Sequence, residues 1–235
     1  LRAAGVALFD ESGRAYYMAG SYADVTEEME RRQLMDHLAF YDGLTGLPNR
    51  FKLQELADAA IRRLEPGTSL LLVFIDLDNF KYINDSFGHK MGDDLLKAVA
   101  ERLRTALRDD GAVLARLGGD EFVALINGGA PCDLAGFERR ARRAFIAPFD
   151  VGGQQFYVGC SAGVACAPDD GRSFDELLMK ADTAMYRSKG DRGGKFVRFM
   201  PEMNRVAVHR LRLHNRLRGA IERRAFFLHY QPQVD

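Results

Sequence analysis

The sequence predicts an α+β fold, and three features of the 235-residue chain support this prediction. Helical and strand-like stretches alternate without the regular βαβ rhythm of a parallel sheet. The stretch SLLLVFIDLD, residues 69–78, is typical of a buried central strand and ends in carboxylates. The stretch AVLARLGGDEFVALI, residues 112–126, places two strand-like runs around Gly118 and Gly119, which indicates a β-hairpin.

Two elements are predicted ahead of this body. Residues 1–20 alternate short apolar runs around a glycine turn, as the strands of a hairpin do. Residues 24–41 contain no glycine or proline and place Leu34, Leu38 and Tyr41 at the i, i+4 and i+7 positions of a helix. We expect a connecting helix that can pair with a copy of itself.

The remaining elements follow from glycine and proline punctuation and from apolar spacing. After the turn-rich DGLTGLPNR, helices are predicted near residues 50–64, 79–86, 93–107, 133–146 and 173–189. A strand pair is expected at 149–166, with Gly152 and Gly153 as its turn, and a further strand at 195–199. A basic helix at about 202–224 and a strand-like run, FFLHYQPQVD, end the chain.

Composition excludes several classes of protein. The 33 basic and 33 acidic side chains cancel, so there is no overall attraction to nucleic acid or to an anionic membrane. No apolar run is long enough to span a bilayer. Cys132, Cys160 and Cys166 have no metal-like spacing and are interpreted as small apolar fillers, which favours a reducing compartment. We expect a cytoplasmic protein whose parent chain could be membrane-tethered upstream.

Carboxylates are expected to converge where the central strand meets the hairpin. Asp76 and Asp78 end the strand, and Asp120 and Glu121 follow the two hairpin glycines. Their mutual repulsion must be relieved by a proton, a salt bridge or a cation. Mg²⁺ is suited to this role because it takes a few carboxylate oxygens together with substrate phosphates. The alternative is a tight turn with solvated acids.

The stretch NFKYINDSFGHKMGD, residues 79–93, favours a phosphorylated purine ligand. A helix that opens directly after the strand end points backbone N–H groups at this spot, as phosphate binding requires. Asn84 and Asp93 flank a glycine-containing loop, and an amide with a carboxylate matches the Watson–Crick edge of guanine. The alternative is that both residues are helix caps.

Four motifs in this order resemble the GGDEF-domain diguanylate cyclases: DGLTGLPNR, FIDLDNFKYINDSFGHKMGDDLL, RLGGDEF and ADTAMYRSKGDRGGK. The resemblance covers residues 42 to about 199 without a large gap. It implies a ferredoxin-like palm of the nucleotide-cyclase kind, with a mainly antiparallel five-stranded sheet flanked by helices. It also implies the condensation of two GTP molecules into cyclic di-GMP with loss of two pyrophosphates.

The resemblance assigns a metal site and its neighbours. Asp76, Asp120 and the Leu77 carbonyl correspond to the ligands of Mg²⁺ or Mn²⁺, with two ions expected per active site. Glu121 corresponds to the residue beside the reacting 3′-hydroxyl.

The resemblance also assigns the substrate contacts. Asn84 and Asp93 correspond to the guanine-binding residues, and the backbone at Asn79 and Phe80 lies under the phosphates. Lys189 corresponds to the basic residue that holds the terminal phosphates and offsets charge on the leaving pyrophosphate.

Two positions depart from the family pattern. The arginine usually found four residues after the lysine is Gly193 here, and Arg192 is the expected substitute. The Arg-x-x-Asp motif of the inhibitory product site would occupy residues 109–112, which read DDGA. We therefore predict no product inhibition through that site.

The chain ends resemble neighbouring domains of the same signalling proteins. The expected organisation is a remnant of a PAS-like sensor domain at 1–23, a connecting helix at 24–41, the GGDEF domain at 42–199, a linker helix at 200–224 and the first strand of a truncated EAL domain at 225–235. The EAL catalytic motif is absent from the chain, so no cyclic di-GMP hydrolysis is expected of it.

These observations lead to two functional hypotheses. The first is a metal-dependent diguanylate cyclase that works as a homodimer, because one domain holds one GTP and the product needs two symmetric 3′,5′ bonds. The second is a GTP-binding regulatory module that controls an attached EAL phosphodiesterase.

Overall fold

The structure is a computed structural model that describes residues 2–108, 111–128, 134–190 and 196–203. Its elements, in chain order, are β1 (Arg2–Phe9), β2 (Ala15–Ala23), α1 (Thr26–Phe40), α2 (Arg50–Arg62), β3 (Ser69–Leu77), α3 (Phe80–Phe87), α4 (His89–Ala106), β4 (Val113–Gly118), β5 (Glu121–Gly128), α5 (Leu134–Arg143), β6 (Phe149–Val151), β7 (Gln154–Phe156), β8 (Cys160–Ala167), α6 (Phe174–Gly190) and β9 (Phe196–Arg198).

The centre of the molecule is a five-stranded sheet in the order β4-β5-β3-β8-β9. Strand β3 pairs antiparallel with β5 on one side and with β8 on the other, and β4 pairs antiparallel with β5. Only the pair of β8 and β9 is parallel among these strands. The predicted α+β class and the mainly antiparallel five-stranded sheet are therefore confirmed.

Strand β3 separates two hydrophobic layers. Every residue from Leu70 to Leu77 is buried, which explains the continuous apolar run of this strand. Its odd-numbered residues from Leu71 onward pack with α3 and α4, and its even-numbered residues pack with α2 and α6. Because side chains alternate along a strand, Asp76 lies on the face that α6 covers.

Helix α6 approaches the sheet at a glycine. A Cβ at Gly163 of β8 would overlap the carbonyl oxygen of Ala181 and the amide nitrogen of Met185, both in α6. Only glycine permits this separation between the helix and sheet backbones. The close packing fixes the position of the end of α6, where Lys189 lies, relative to the central strands.

The elements that precede the body match their predictions except at Tyr41. Strands β1 and β2 form a two-stranded antiparallel sheet of their own. Helix α1 covers nearly all of the predicted connecting helix, and Leu34 and Leu38 on it are 58% and 66% exposed. These two residues of the predicted apolar face are therefore presented to solvent. The prediction was wrong for Tyr41, which lies just after the helix, has an extended backbone and is half-buried.

The prediction for α4 was wrong at its start. The helix begins at His89 rather than near residue 93, so Gly88 alone separates it from α3. Gly88 has a φ of 86°, which ends one helix and begins the next in a single residue. The predicted glycine-containing loop does not exist, and Asp93 lies inside the first turns of α4.

Two hairpins also differ in part from their predictions. The hairpin turn is formed by Gly119 and Asp120, because Gly118 still belongs to β4. The pair predicted at 149–166 is instead a short hairpin, β6 with β7, followed by a separate strand β8 in the central sheet. The predicted glycine turn of that short hairpin is present and has positive φ angles.

Several predicted features lie outside the described residues: Cys132, Asp109, Asp110, Arg192, Gly193, the linker helix beyond Met203 and the strand at 225–235. Among the helices that the structure describes, none has the length and apolar character needed to cross a membrane.

Candidate functional site

The pairing of β3 with β5 brings the predicted carboxylates together. Asp76 is the direct cross-strand partner of Glu121. The Leu77 amide donates to the Asp120 carbonyl at a nitrogen–oxygen distance of 3.4 Å, which joins the strand end to the hairpin turn. Two strand ends that are distant in sequence thus place three carboxylates and the Leu77 backbone at one edge of the sheet.

Lys189 reaches this group from the end of α6. Its Nζ lies 2.8 Å from Asp76 Oδ1, and the Asp76 side chain is 8% exposed while that of Lys189 is 42% exposed. Burial would lower the pKa of Lys189, but the contact with Asp76 and the charges of Asp120 and Asp78 outweigh it and raise the pKa. Lys189 is therefore held as a cation at the carboxylates.

The carboxylates themselves carry uncompensated charge. Burial raises the pKa of Asp76, and the charges of Asp120 and Asp78 add to the increase against the opposing effect of Lys189. Burial also raises the pKa of Glu121, with further increases from Asp76 and Asp120. Both groups are thus poorly stabilised as anions, as expected where a cation or a phosphate-bound cation completes the charge balance.

A further carboxylate, which the sequence analysis did not identify, lies on α6. Asp182 is seven residues before Lys189, two helical turns away on the same face. Burial raises the pKa of Asp182, and its charge contributes to the raised pKa of Glu121. Helical spacing from Lys189 was the signal that could have identified it.

The donor set fits a hard divalent cation. Asp76, Asp120 and the Leu77 carbonyl supply only oxygen atoms, which Mg²⁺ and Mn²⁺ prefer. The described residues contain no group of three or more His, Cys, Asp or Glu side chains arranged to hold a metal alone. Mg²⁺ is usually held by one or two protein carboxylates and completed by substrate phosphates and water.

The turn between β3 and α3 has a strained backbone. Asn79 has a φ of 61°, the only positive φ of a non-glycine residue among the described residues. Helix α3 begins at the next residue, the buried Phe80. The first N–H groups of a helix have no acceptor within it, so this end of α3 can bind an anion.

Asn84 has a buried polar atom, Oδ1, without a hydrogen-bond partner among the described residues. Gly92 of α4 leaves room for it, because a Cβ there would overlap Asn84 Oδ1 and lie 3.2 Å from the Phe80 ring. A buried amide oxygen without a donor is costly unless a ligand supplies one.

Neither Asn84 nor Asp93 is a helix cap, so that alternative is wrong. The cap position of α3 is Asn79, and that of α4 is Gly88. Asp93 is exposed and lies one residue after Gly92, so it follows directly the glycine that contacts Asn84.

An arginine ties the hairpin to the DGLTGLPNR motif, and no role was assigned to it from the sequence. Arg116 Nη1 lies 2.9 and 3.0 Å from the two carboxylate oxygens of Asp42. Its Nε and Nη2 donate to the Gly119 carbonyl at 3.0 and 2.6 Å. Asp42 also accepts from the amide and hydroxyl of Thr45. These bonds fix the turn that carries Asp120.

The electrostatics of this arginine pair are opposite to those at Asp76. Burial would raise the pKa of Asp42, but the hydrogen bonds from Thr45 and Arg116 outweigh it and lower the pKa. The available sequence signal was a charged residue within the apolar strand AVLARLGG, since a buried arginine needs a partner.

The chain was compared with known proteins. Residues 39–195, more than half of its length, match the family described as "Diguanylate cyclase, GGDEF domain". The chain is 38% identical over 218 residues to the cyclic di-GMP phosphodiesterase PdeR of Escherichia coli, covering 93% of this chain and 33% of that protein. It is 40% identical over 198 residues to the bifunctional diguanylate cyclase/cyclic di-GMP phosphodiesterase MucR of Pseudomonas aeruginosa, covering 84% and 29%. The chain thus spans about a third or less of these relatives.

Solved structures give the same result. The GGDEF domain of TpbB (YfiN) from Pseudomonas aeruginosa is 33% identical, with a TM-score of 0.67, covering 71% of this chain and 98% of that one. The coiled coil and GGDEF domain of DgcB from Caulobacter crescentus, in complex with c-di-GMP, is 26% identical with a TM-score of 0.65, covering 74% and 93%. With the motifs, the fold and these similarities in agreement, the chain belongs to the GGDEF family of diguanylate cyclase domains.

Proposed function

We propose that this GGDEF domain is an active diguanylate cyclase that condenses two GTP molecules into cyclic di-GMP. The observation that carries the proposal is the pairing of Asp76 with Glu121, beside Asp120 and Lys189, at the start of a helix able to bind phosphate. Charge is already organised there for a polyphosphate substrate, and every member of the GGDEF motif is present from Gly118 to Phe122.

The chemistry follows from the residues of this edge. The 3′-hydroxyl of one GTP forms a bond to the α-phosphorus of the other, the bond to the β-phosphate oxygen breaks, and pyrophosphate leaves. Mg²⁺ held by Asp76, Asp120 and the Leu77 carbonyl would activate the hydroxyl and stabilise the phosphate charge. Glu121, whose pKa is raised, would accept the hydroxyl proton.

The substrate contacts are assigned to the neighbouring helices. Asn84, with its unsatisfied buried oxygen, and Asp93 would bind the guanine edge. The amides at the Asn79–Phe80 turn would bind the phosphates, and Lys189 would move from Asp76 toward the leaving pyrophosphate. Arg192 is the proposed partner of Lys189 in place of the family arginine.

The product requires two domains. Each site holds one GTP, so two copies must face each other with two-fold symmetry to form both 3′,5′ bonds. The connecting helix α1 would control how the two domains meet by pairing with its copy. The exposed Leu34 and Leu38 support this, because they lie one turn apart on one face of the helix.

The test is incubation of the chain with GTP and Mg²⁺, followed by chromatographic detection of cyclic di-GMP. A version fused to a dimeric coiled coil ahead of residue 24 ensures that the domains can meet. We expect product from wild type and none from Asp120→Ala, with both proteins folded by circular dichroism. Product from Asp120→Ala would overturn the metal assignment.

The second candidate is a regulatory module that binds GTP and controls an EAL phosphodiesterase in the parent chain. Two observations favour it: a similar protein, PdeR, is named a phosphodiesterase, and Gly193 replaces the family arginine. Measurable GTP binding by the fused dimer, without cyclic di-GMP formation, would support this function over the first.

The proposal also covers the neighbouring domains and the inhibitory product site. We propose that residues 1–23 derive from a PAS-like sensor and residues 200–235 lead into an EAL domain, with PAS and EAL domains as partners in one cytoplasmic chain. We also propose that the sequence DDGA at 109–112 leaves no inhibitory product site. Strong non-competitive inhibition by added cyclic di-GMP would contradict that last statement.

A further inference from the structure

We propose that Ser161 and Asp78 form a latch that aims the first amides of α3 at the nucleotide phosphates. The inference rests on the proposed GTP site. It gives both residues a positioning role in substrate binding, whereas the metal ligands and guanine contacts assigned above do not include them.

Asp78 is held by both its backbone and its side chain. The strand pairing of β3 with β8 ends at Leu77 and Cys160, but the Asp78 amide continues it by donating to the Gly159 carbonyl at 2.9 Å. The Ser161 hydroxyl donates to Asp78 Oδ1 at 2.7 Å. Ser161 is fully buried and Asp78 is half-buried, so this hydrogen bond is only partly accessible to water.

Gly159 shapes the space on the other side of the carboxylate. A Cβ at Gly159 would lie 2.9 Å from Asp78 Oδ2, closer than such atoms approach in proteins. The Asp78 carboxylate therefore lies between the Ser161 hydroxyl and the Gly159 backbone, and a larger residue at either place would displace it.

This arrangement accounts for the strained residue that follows. Asn79 adopts a φ of 61° and its side chain makes no capping hydrogen bond to α3. A left-handed non-glycine residue is uncommon and persists only where its neighbours determine it. Asp78 supplies that constraint on one side, and the buried Phe80 supplies it on the other. The direction of α3 is set by this turn.

The latch also gives Asp78 a partner other than the one used by the metal carboxylate Asp76. Ser161 is the direct cross-strand partner of Asp76, yet its hydroxyl donates to Asp78, two residues further along the chain. The two carboxylates lie on the same face of β3, since they are two residues apart. Fixing Asp78 on Ser161 leaves Asp76 to Lys189 and to a bound cation.

The test compares two ligands that share the guanine but differ in phosphates: 3′-deoxy-GTP with Mg²⁺, which cannot react, and guanosine. Calorimetric titration of Ser161→Ala should show about threefold to tenfold weaker binding of the triphosphate, the value of one buried hydrogen bond. Guanosine binding should stay within about twofold of wild type. A merely structural role would weaken both ligands alike.

Three variants complete the design. Asp78→Asn keeps an oxygen that accepts from Ser161 and removes a negative charge, so triphosphate binding should not weaken. Gly159→Ala displaces the carboxylate by another route and should reproduce the selective loss even if Ser161→Ala does not fold. Ser173→Ala is the control and should bind both ligands normally. The Ser173 hydroxyl that it removes accepts from the Glu176 amide at the far end of α6.

The outcomes separate the two proposals. Failure of the wild type to bind the triphosphate would overturn the proposed GTP site and the latch with it. Normal wild-type binding together with unchanged triphosphate binding by Ser161→Ala and Gly159→Ala would overturn the latch alone, as would an equal loss for guanosine.

Discussion

Two ion pairs lie on either side of the hairpin turn of this domain, and they differ in how completely their charges are satisfied. In the pair of Arg116 and Asp42, the guanidinium contacts both carboxylate oxygens and the Gly119 carbonyl, and the pKa of Asp42 is lowered. In the pair of Lys189 and Asp76, there is one close contact, and the pKa of Asp76 is raised.

The difference separates structural from functional charge. A buried pair whose hydrogen bonds are all made holds its surroundings in place. A carboxylate whose pKa is raised despite a neighbouring cation is poorly stabilised as an anion, and a bound cation can stabilise it. The pair of Arg116 and Asp42 fixes the hairpin turn. The pair of Lys189 and Asp76 lies beside Asp120, which that turn carries.

The largest effect on stability is expected from Arg116→Ala. Removing the guanidinium leaves Asp42 and the Gly119 carbonyl without their partner, so the free energy of unfolding should fall by about 3–5 kcal/mol. Urea denaturation followed by circular dichroism measures this. Arg104→Ala removes an exposed pair with Glu101 and is the matched control, with an expected change below about 1 kcal/mol. Equal losses of stability in the two variants would contradict the structural role of Arg116.

The next effect concerns turnover and separates the pairs most clearly. Asp76→Asn keeps the shape of the side chain and removes the charge, so formation of cyclic di-GMP should fall by about 100-fold or more. Its unfolding midpoint in urea should equal or exceed that of the wild type, because burial disfavours the Asp76 anion. A clear loss of stability would mean that Asp76 is satisfied in the same way as Asp42.

Exchanging the type of cation gives a smaller effect. Arg116→Lys keeps the charge but loses the bonds from Nε and Nη2 to Gly119, and we expect a loss of about 1–2 kcal/mol. Lys189→Arg keeps a half-exposed cation near Asp76 and should change stability by less than about 0.5 kcal/mol. Urea denaturation measures both changes. Similar losses of stability in the two variants would contradict the distinction between the structural pair at Asp42 and the functional pair at Asp76.

The smallest effect is a pH dependence of opposite sign at two carboxylates. Because the pKa of Asp42 is lowered, its contribution to stability is present at neutral pH and is lost as pH falls below about 4. Because the pKa of Glu121 is raised, its charge opposes folding at neutral pH, and this penalty disappears in acid.

Asp42→Asn should therefore be less stable than wild type at pH 7, and Glu121→Gln should be more stable. Both differences should shrink toward zero below about pH 4, as measured by thermal unfolding at a series of pH values. A Glu121→Gln protein that is less stable than wild type at pH 7 would show that Glu121 is a satisfied structural anion.

Local patterns predicted most of the fold. The run from Leu70 to Leu77 indicated a buried strand, and glycine and proline positions indicated most helix ends. The errors arose where one glycine replaced a loop, as at Gly88, or where a short hairpin left the central sheet, as at β6 and β7. In each case the outcome depended on packing against other elements, which spacing along the chain does not record.

Candidate site residues were predictable when they lay in motifs with polar residues at strand ends. Asp76 and Asp120 were identified in this way, and their strands are neighbours. Arg116 and Ser161 were not assigned a role, because each acts through a partner far away in the sequence. Asp182 was also missed, although its helical spacing from Lys189 was available in the sequence.

The sequence by itself determined the fold class, the buried central strand, the family and the set of residues available for chemistry, because these depend on local periodicity and motif spacing. Only the tertiary structure decided how the charges are used. The approach of α6 to β8 at Gly163 brings Lys189 to Asp76, and the bond from the Arg116 amide to the Pro48 carbonyl brings Arg116 to Asp42. Burial and the number of hydrogen bonds at each carboxylate then set its pKa, and these are properties of packed neighbours rather than of residue types.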